Sequence, residues 1–243
     1  MPRVRLDQLV FDRGLVPSRE RARALILAGQ ISVNGQPVTK AGTPIDADAS
    51  VDLIAPDHPY VGRGGVKLAH ALDTFHLDVS GREALDIGAS TGGFTDVLLQ
   101  RGATRVVALD VGHGQLDWKI RNDPRVIVIE HFNARHLTPA DLPGVVDIVT
   151  IDVSFISLRQ ILPVLPPLLR SGADVVALVK PQFEAGRSEV RKGIVKDTAV
   201  HARVVTEVTD AAAEVGLTRM SATPSPITGQ KGNIEFLLHF RYA

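Results

Sequence analysis

Apolar residues recur along this chain in two rhythms. Between residues 6 and 29 the spacing is helical: Leu6, Leu9 and Val10 precede Gly14, and Ala22, Leu25 and Ile26 share a face within VPSRERARALILAGQ, with Ser18 as N-cap and Gly29 after the last turn. Two short helices are predicted. Ile31 and Val33 then alternate with polar residues, Asn34-Gly35 supplies a hairpin turn, and VDLIAP reads as a later strand. The pattern predicts a small α+β module over residues 1–58. From residue 83 the texture changes to short apolar runs, EALDI, RVVALD, RVIVIE, VDIVTIDV, ADVVALVK and NIEFLLHF, separated by helical stretches. Such alternation predicts an α/β domain over residues 59–243, a parallel sheet with helices on both faces and an antiparallel last strand. APDHPYVGRGG, with two prolines and three glycines, is the expected linker.

Composition narrows the classes. The 243 residues are 44% hydrophobic and 22% charged, enough apolar content for a sizeable core. No cysteine is present, which excludes disulfides, thiolate catalysis and cysteine zinc sites. No His/Asp/Glu cluster has metal-ligand spacing either, so no metal is expected. No run approaches the roughly 18 to 20 apolar residues of a membrane helix, and MPRVRLDQLVFDRG lacks the apolar segment of a secretory signal. A cytoplasmic protein without a membrane partner is expected; its oligomeric state is open.

The charges total 27 basic and 27 acidic residues, but residues 1–40 hold seven basic against three acidic, and residues 41–57 hold four Asp and no base. Arg19 and Arg23 lie four apart on the second helix, opposite its apolar face, so their guanidinium groups are expected to project together toward phosphates. Arg3 and Arg5 join them as RNA-binding candidates.

LDIGASTGGFTDVLLQRG reads as a strand ending at Asp86-Ile87-Gly88, a small-residue turn with Ser90, Gly92 and Gly93, and a helix from about Phe94 to Gly102. A second strand ends in Asp110, where a carboxylate can accept both hydroxyls of a ribose. This predicts a nucleoside cofactor. The turn departs from G-x-G-x-x-G, which favours a ligand without phosphates, and S-adenosylmethionine fits. Its expected contacts are Asp86, Gly88, Ser90, Gly92, Gly93, Phe94, Asp110 and Asp152; the resemblance of this turn, Asp110 and EHFNAR to class I methyltransferases implies Asn133 at the adenine edge.

Three polar residues stand where such a fold collects function: Asp152 ends VDIVTIDV, Lys180 ends ADVVALVK, and Lys67 lies in GRGGVKLAHAL ahead of the first core strand. A fourth, Glu235, interrupts the last apolar run. Alternation alone sends Glu235 to solvent from an edge strand, on the face opposite Ile234, Phe236, Leu238 and Phe240. Its place after the other three favours the site.

Two resemblances organise these residues. RLDQLVFDRGLVPSRERARALILAGQISVNGQPV is similar to the core of the S4 RNA-binding domain, which implies recognition of structured RNA. The D-x-G-x-x-x-G-G-F turn, the acid closing the second strand and EHFNAR resemble class I (Rossmann-like) methyltransferases. The order Lys67, glycine turn, Asp152, Lys180, Glu235 resembles the Lys-Asp-Lys-Glu tetrad of FtsJ-like ribose 2′-O-methyltransferases. With YVGRGGVKL, LDVGHGQL, IDVSFISL, LVKPQFE and KGNIEF, the whole chain resembles the TlyA family, ribosomal-RNA methyltransferases also labelled haemolysins. That resemblance implies 2′-O-methylation of a ribose, that of cytidine, in ribosomal RNA or ribosomal subunits. Lys180 then lies nearest the reacting oxygen, as base or as orienting group. Lys67 stabilises alkoxide character, and Asp152 and Glu235 hold the lysines.

Rival readings are a base methyltransferase, since DVSF is faintly similar to a D-P-P-[FY] turn without its prolines; a pseudouridine synthase, of which GREALD is a poor match; a non-catalytic ribosome-assembly factor; and a pore-forming cytolysin. SEVRKGIVKD, with Arg187, Arg191, Lys192 and Lys196, reads either as an RNA contact or as a solvated loop.

Overall fold

A computed structural model describes residues 3–54 and 58–243. The chain divides into two compact units, Met1–Pro59 and Tyr60–Ala243. Ala55, Pro56 and Asp57, the start of the expected linker, lie outside the described residues.

The first unit runs β1 (Arg3–Arg5), α1 (Leu6–Asp12), α2 (Arg19–Leu27), β2 (Ile31–Val33), β3 (Gln36–Pro37), β4 (Pro44–Asp46) and β5 (Val51–Leu53). Ser18 caps α2 by accepting the Arg21 N–H at 3.1 Å, and Gly29 ends it with φ +68°. Asn34 and Gly35 both take positive φ, as a two-residue turn between β2 and β3 requires. The helical and alternating apolar residues close one core, including Leu6, Val10, Ile26 and Ile31.

The second unit opens with α3 (Gly64–Thr74), β6 (Glu83–Ile87), α4 (Gly93–Gln100), β7 (Arg105–Leu109), α5 (Trp118–Arg121), β8 (Val126–Ile129) and β9 (Val146–Ile151). It continues through β10 (Leu169–Val179), α6 (Pro181–Glu184), α7 (Thr198–Glu214), β11 (Leu217–Pro224) and β12 (Phe236–Tyr242). Its seven-stranded sheet has the order β11-β12-β10-β9-β6-β7-β8. β10, β9, β6, β7 and β8 are parallel, and β12 is antiparallel to both neighbours. The strand order reverses between β6 and β9, which opens a crevice at their carboxyl ends. Alternate strand residues pack into two layers, Ala84, Val106 and Ile148 with α3 and α4, and Leu85, Val107 and Val149 with α7.

Three features differ from the expected pattern. α3 begins inside the expected linker, and Gly93 lets it cross α4 closely: a Cβ there would come within 2.9 Å of the Gly65 N and 3.2 Å of the Gly62 carbonyl oxygen. β9 and β10 are joined by 3-10 turns, since Pro163, Pro166 and Pro167 remove the amide donors an α-helix needs. β12 is not an edge strand, because β11, a largely polar segment without apolar rhythm, covers its outer side.

Candidate active site

β6 ends at Ile87, and Gly88 follows with φ +87°, so close to the end of β9 that a Cβ would lie 2.6 Å from the Asp152 carbonyl oxygen. Beside this contact lies a cavity of about 540 Å3, lined among others by Gly88, Ser90, Asp110, Asn133, Asp152 and Phe155. That size suits a nucleoside cofactor. Asp110 accepts the Ser90 N–H at 2.7 Å on one oxygen and the Gly112 N–H at 2.6 Å on the other. Each oxygen keeps a lone pair for a ribose hydroxyl. Asn133 accepts the Arg135 N–H at 3.1 Å through Oδ1, which leaves its amide N–H groups for a ring nitrogen.

Four expected cofactor residues do not line the cavity. Asp86 is fully buried on the α4 side of the sheet, where it accepts hydroxyl hydrogen bonds from Thr95 at 2.6 Å and Thr150 at 2.9 Å. It ties the glycine turn's helix to the neighbouring strand. Burial pushes its carboxyl up to about 7, opposed by those two hydroxyls and reinforced by the charge of Asp152. Gly92 packs on Leu116 and Ile120, Gly93 makes the α3 crossing, and Phe94 is buried against Gly64.

The four tetrad candidates meet as two pairs. Lys67 on α3 and Glu235 just before β12 form an ion pair at 2.5 Å, with Glu235 only 2% exposed. Glu235 is therefore not turned to solvent: β12 is covered on both faces, and its antiparallel course begins where the parallel strands end. Lys180, at the end of β10, approaches Asp152 Oδ1 at 2.5 Å without hydrogen-bond angles and donates instead to Ser154 Oγ at 3.0 Å. Gly64, one turn before Lys67, faces Asp152: a Cβ there would stand 3.8 Å from Oδ2.

Sequence reasoning missed several neighbours. Phe155 takes φ +65° and is 87% exposed at the cavity, its ring 5.0 Å from that of Phe183. A strained, exposed aromatic side chain is unusual outside a binding surface. Its only signal was the weak DVSF match. Glu184 accepts from Ser157 Oγ at 2.5 Å and the Leu158 N–H at 2.7 Å, which fixes the cavity wall around Ile156 and Gln160.

In the first unit, Arg19 does not project freely with Arg23. Buried Asp7 draws both Arg5, at 3.0 Å, and Arg19, at 3.2 Å, while Arg3 pairs with Asp46 at 3.4 Å. Arg5 and Arg19 remain about half exposed.

A doubly wound sheet with a glycine turn, a ribose-ready acid and a cavity at the strand reversal has the architecture of a class I methyltransferase. The model of the FtsJ-like methyltransferase family matches residues 60–242, and that of the S4 domain matches residues 4–51. The chain belongs to the FtsJ-like methyltransferase family and, within it, to the TlyA group that carries an S4 domain. It is 46% identical over 241 residues to the 16S/23S rRNA (cytidine-2′-O)-methyltransferase TlyA of Mycobacterium tuberculosis, covering 98% of this chain and 90% of the relative. It is 42% identical to Hemolysin A of Brachyspira hyodysenteriae, over 98% of this chain and 99% of that protein. A solved structure from Streptococcus thermophilus that also carries a hemolysin name matches with a TM-score of 0.79 and 46% identity, covering 100% of this chain and 90% of that one.

Proposed function

We propose that the chain transfers the methyl group of S-adenosylmethionine to the 2′ oxygen of a cytidine ribose in ribosomal RNA, in the cytoplasm. The observation that carries this reading is the pairing of two lysines with two carboxylates, Lys67 with Glu235 and Lys180 with Asp152, the last of which lines the nucleoside-sized cavity. The activity named for the M. tuberculosis relative, cytidine 2′-O-methylation of ribosomal RNA, supplies the nucleoside and the RNA. Among the described residues no helix is long and apolar enough to cross a membrane.

When bound, S-adenosylmethionine supplies a methyl group on a sulfonium, already activated for displacement. Asp110 would take its ribose hydroxyls, Asn133 would offer its amide to the adenine edge, and Gly88 and Ser90 would lie against it with their backbone. Lys180 directs its ammonium at the 2′ oxygen of the RNA. Held by Asp152 and Ser154, it orients that oxygen for in-line attack and stabilises charge as it develops. The hydroxyl proton leaves to water at the open side of the cavity. Lys67, fixed by Glu235 one turn after Gly64, which faces Asp152, supplies the second positive charge. Phe155 offers its exposed face to a nucleobase. Arg3, Arg5, Arg19 and Arg23 of the S4 domain contact phosphates, Arg5 and Arg19 with the N–H groups that Asp7 leaves over.

The test is mass-spectrometric mapping of ribosomal RNA and of subunits incubated with the protein and the methyl donor. A 2′-O-methylcytidine that blocks hydrolysis at its own linkage is expected. Lys180→Ala should make none while binding S-adenosylmethionine in calorimetry like the parent. A methyl group on a base, or parental turnover by Lys180→Ala, would overturn the reading.

A further inference from the structure

One loop of the second unit departs from its surroundings in how its charges are used. Elsewhere in this unit arginines are commonly engaged, Arg82 by Asp174, Arg121 by Glu130, Arg170 by Asp147 and Arg203 by Glu189, for example. Arg187, Arg191, Lys192 and Lys196 are exposed and have no ion pair among the described residues. The two carboxylates within residues 186–197 are engaged elsewhere: Glu189 accepts the Gly186 N–H at 2.9 Å and Arg203 at 2.6 Å, and Asp197 caps α7 by accepting the Ala199 N–H at 2.8 Å.

The loop is nevertheless a built structure. Arg191 and Ile194 exchange two backbone hydrogen bonds of 3.0 Å around a tip where Lys192 and Gly193 take φ of +53° and +81°. Asn233, 2% exposed, grips the outgoing limb: its Oδ1 accepts the Val195 N–H at 3.2 Å and its Nδ2 donates to the Gly193 carbonyl at 2.9 Å. A ring nitrogen of His201 on α7 meets the Val195 carbonyl at 3.0 Å. Ordering a backbone so that four neighbouring cations face water without an ion pair gains little inside the protein. It is rewarded when an outside anion is bound.

Asn233 also ties this loop to the active site. It stands two residues before Glu235, the partner of Lys67, and its carbonyl accepts the Gly229 N–H at 2.8 Å. Lys231, exposed and with φ +57°, folds over the loop tip, where a Cβ on Gly193 would lie 3.0 Å from its Nζ. A fifth cation thereby joins the four.

We infer that residues 186–197 and 229–233 form one rim that binds the RNA phosphodiester backbone beside the methylated ribose. Arg187, Arg191, Lys192, Lys196 and Lys231 supply the contacts, and Asn233 is the positioning residue that sets the rim against Glu235. This rests on the ribose-methylation reading.

The experiment measures binding of an in-vitro transcript of large-subunit ribosomal RNA to the full chain as a function of salt, for the parent, for Arg191→Ala/Lys192→Ala/Lys196→Ala, and for Asn233→Ala. Removing three phosphate contacts should lower the log–log salt slope by about 2 and weaken binding about tenfold or more, with calorimetric affinity for S-adenosylmethionine unchanged. Asn233→Ala should reproduce part of that loss and add nothing when combined with the triple substitution, a non-additivity that general destabilisation does not produce. A parental slope and affinity in the triple variant would overturn the rim. So would naked-RNA binding that is unchanged while attachment to intact subunits weakens, which assigns the loop to a protein surface. Binding needs no turnover: RNA held through the rim without 2′-O-methyl product would defeat the proposed reaction and leave the rim standing.

Discussion

Gly229 leaves room for Glu235: a methyl group in place of its hydrogen would overlap Oε1 of the carboxylate that holds Lys67. The carboxylate is buried and paired, so it cannot swing aside at little cost.

Gly229→Ala is therefore expected to displace Glu235 and lower kcat about tenfold or more, the consequence of roughly 1.4 kcal/mol lost from transition-state stabilisation. Affinity for S-adenosylmethionine should hold, because Gly229 and Glu235 are not among the cavity-lining residues. Steady-state kinetics with calorimetry on the same variant decides this. An unchanged kcat would mean that the Lys67–Glu235 pair is not needed for turnover.

Phe155→Ala should raise KM for RNA, since stacking of a base on an aromatic ring contributes about 1–3 kcal/mol. Phe155→Tyr or Trp should restore most of the loss. A variant with parental KM for RNA but weakened donor affinity would make Phe155 part of the cofactor wall instead.

Asp86 gives stability a pH dependence. Its folded carboxyl, near 7, lies above the ordinary value of 3.8, so the native state holds a proton that the unfolded chain has released. That contribution is complete below the ordinary value and is lost as pH rises through about 7, at up to ~1.4 kcal/mol per pH unit. Asp86→Asn keeps groups able to meet both threonine hydroxyls and does not titrate. Relative to the parent it should gain stability between pH 5 and pH 8, conditions to be compared by denaturant unfolding; parallel curves across that range would contradict it.

The opposite end of the sheet offers a control. Burial alone would raise the Asp174 carboxyl, but hydrogen bonds from His239, Arg82 and Arg241 outweigh it and hold the group far below the usual carboxylate range. Its contribution is present above that range and fades as pH falls below it. Asp174→Asn should cost about 3–5 kcal/mol of stability by leaving cations without their partner. Asp174 lies in the middle of β10, where it pairs with Arg82 and Arg241 rather than with any residue of the proposed site, so turnover by the folded variant at low temperature should match the parent. A large loss of kcat without loss of stability would show coupling along the strand.

Much of this arrangement was legible in the sequence because it depends on strand ends. Asp152 and Lys180 each close an apolar run, and in a parallel sheet such residues share one rim. Glu235 was ambiguous for a local reason: period-2 alternation assumes one wet face, whereas Leu237 packs into the α3–α4 layer and Leu238 into the α7 layer, so both faces of β12 are dry. Asp86 was misplaced because a strand's final residues alternate between rim and core, and only the threonines at 95 and 150 reveal which side it takes. Arg19 was expected to be free because the pattern gives helix faces, whereas the carboxylate that captures it sits on another helix.

Asp152 belongs at once to the wall of the donor cavity and to the anchoring of Lys180. In the proposed reaction one side chain thus serves two substrates, and drift at this position would not tune affinity for the methyl donor without also moving the group that addresses the RNA. Evolutionary adjustment to new RNA targets is expected instead in parts that can change one at a time: the aromatic residue at 155, the basic loop and the N-terminal domain.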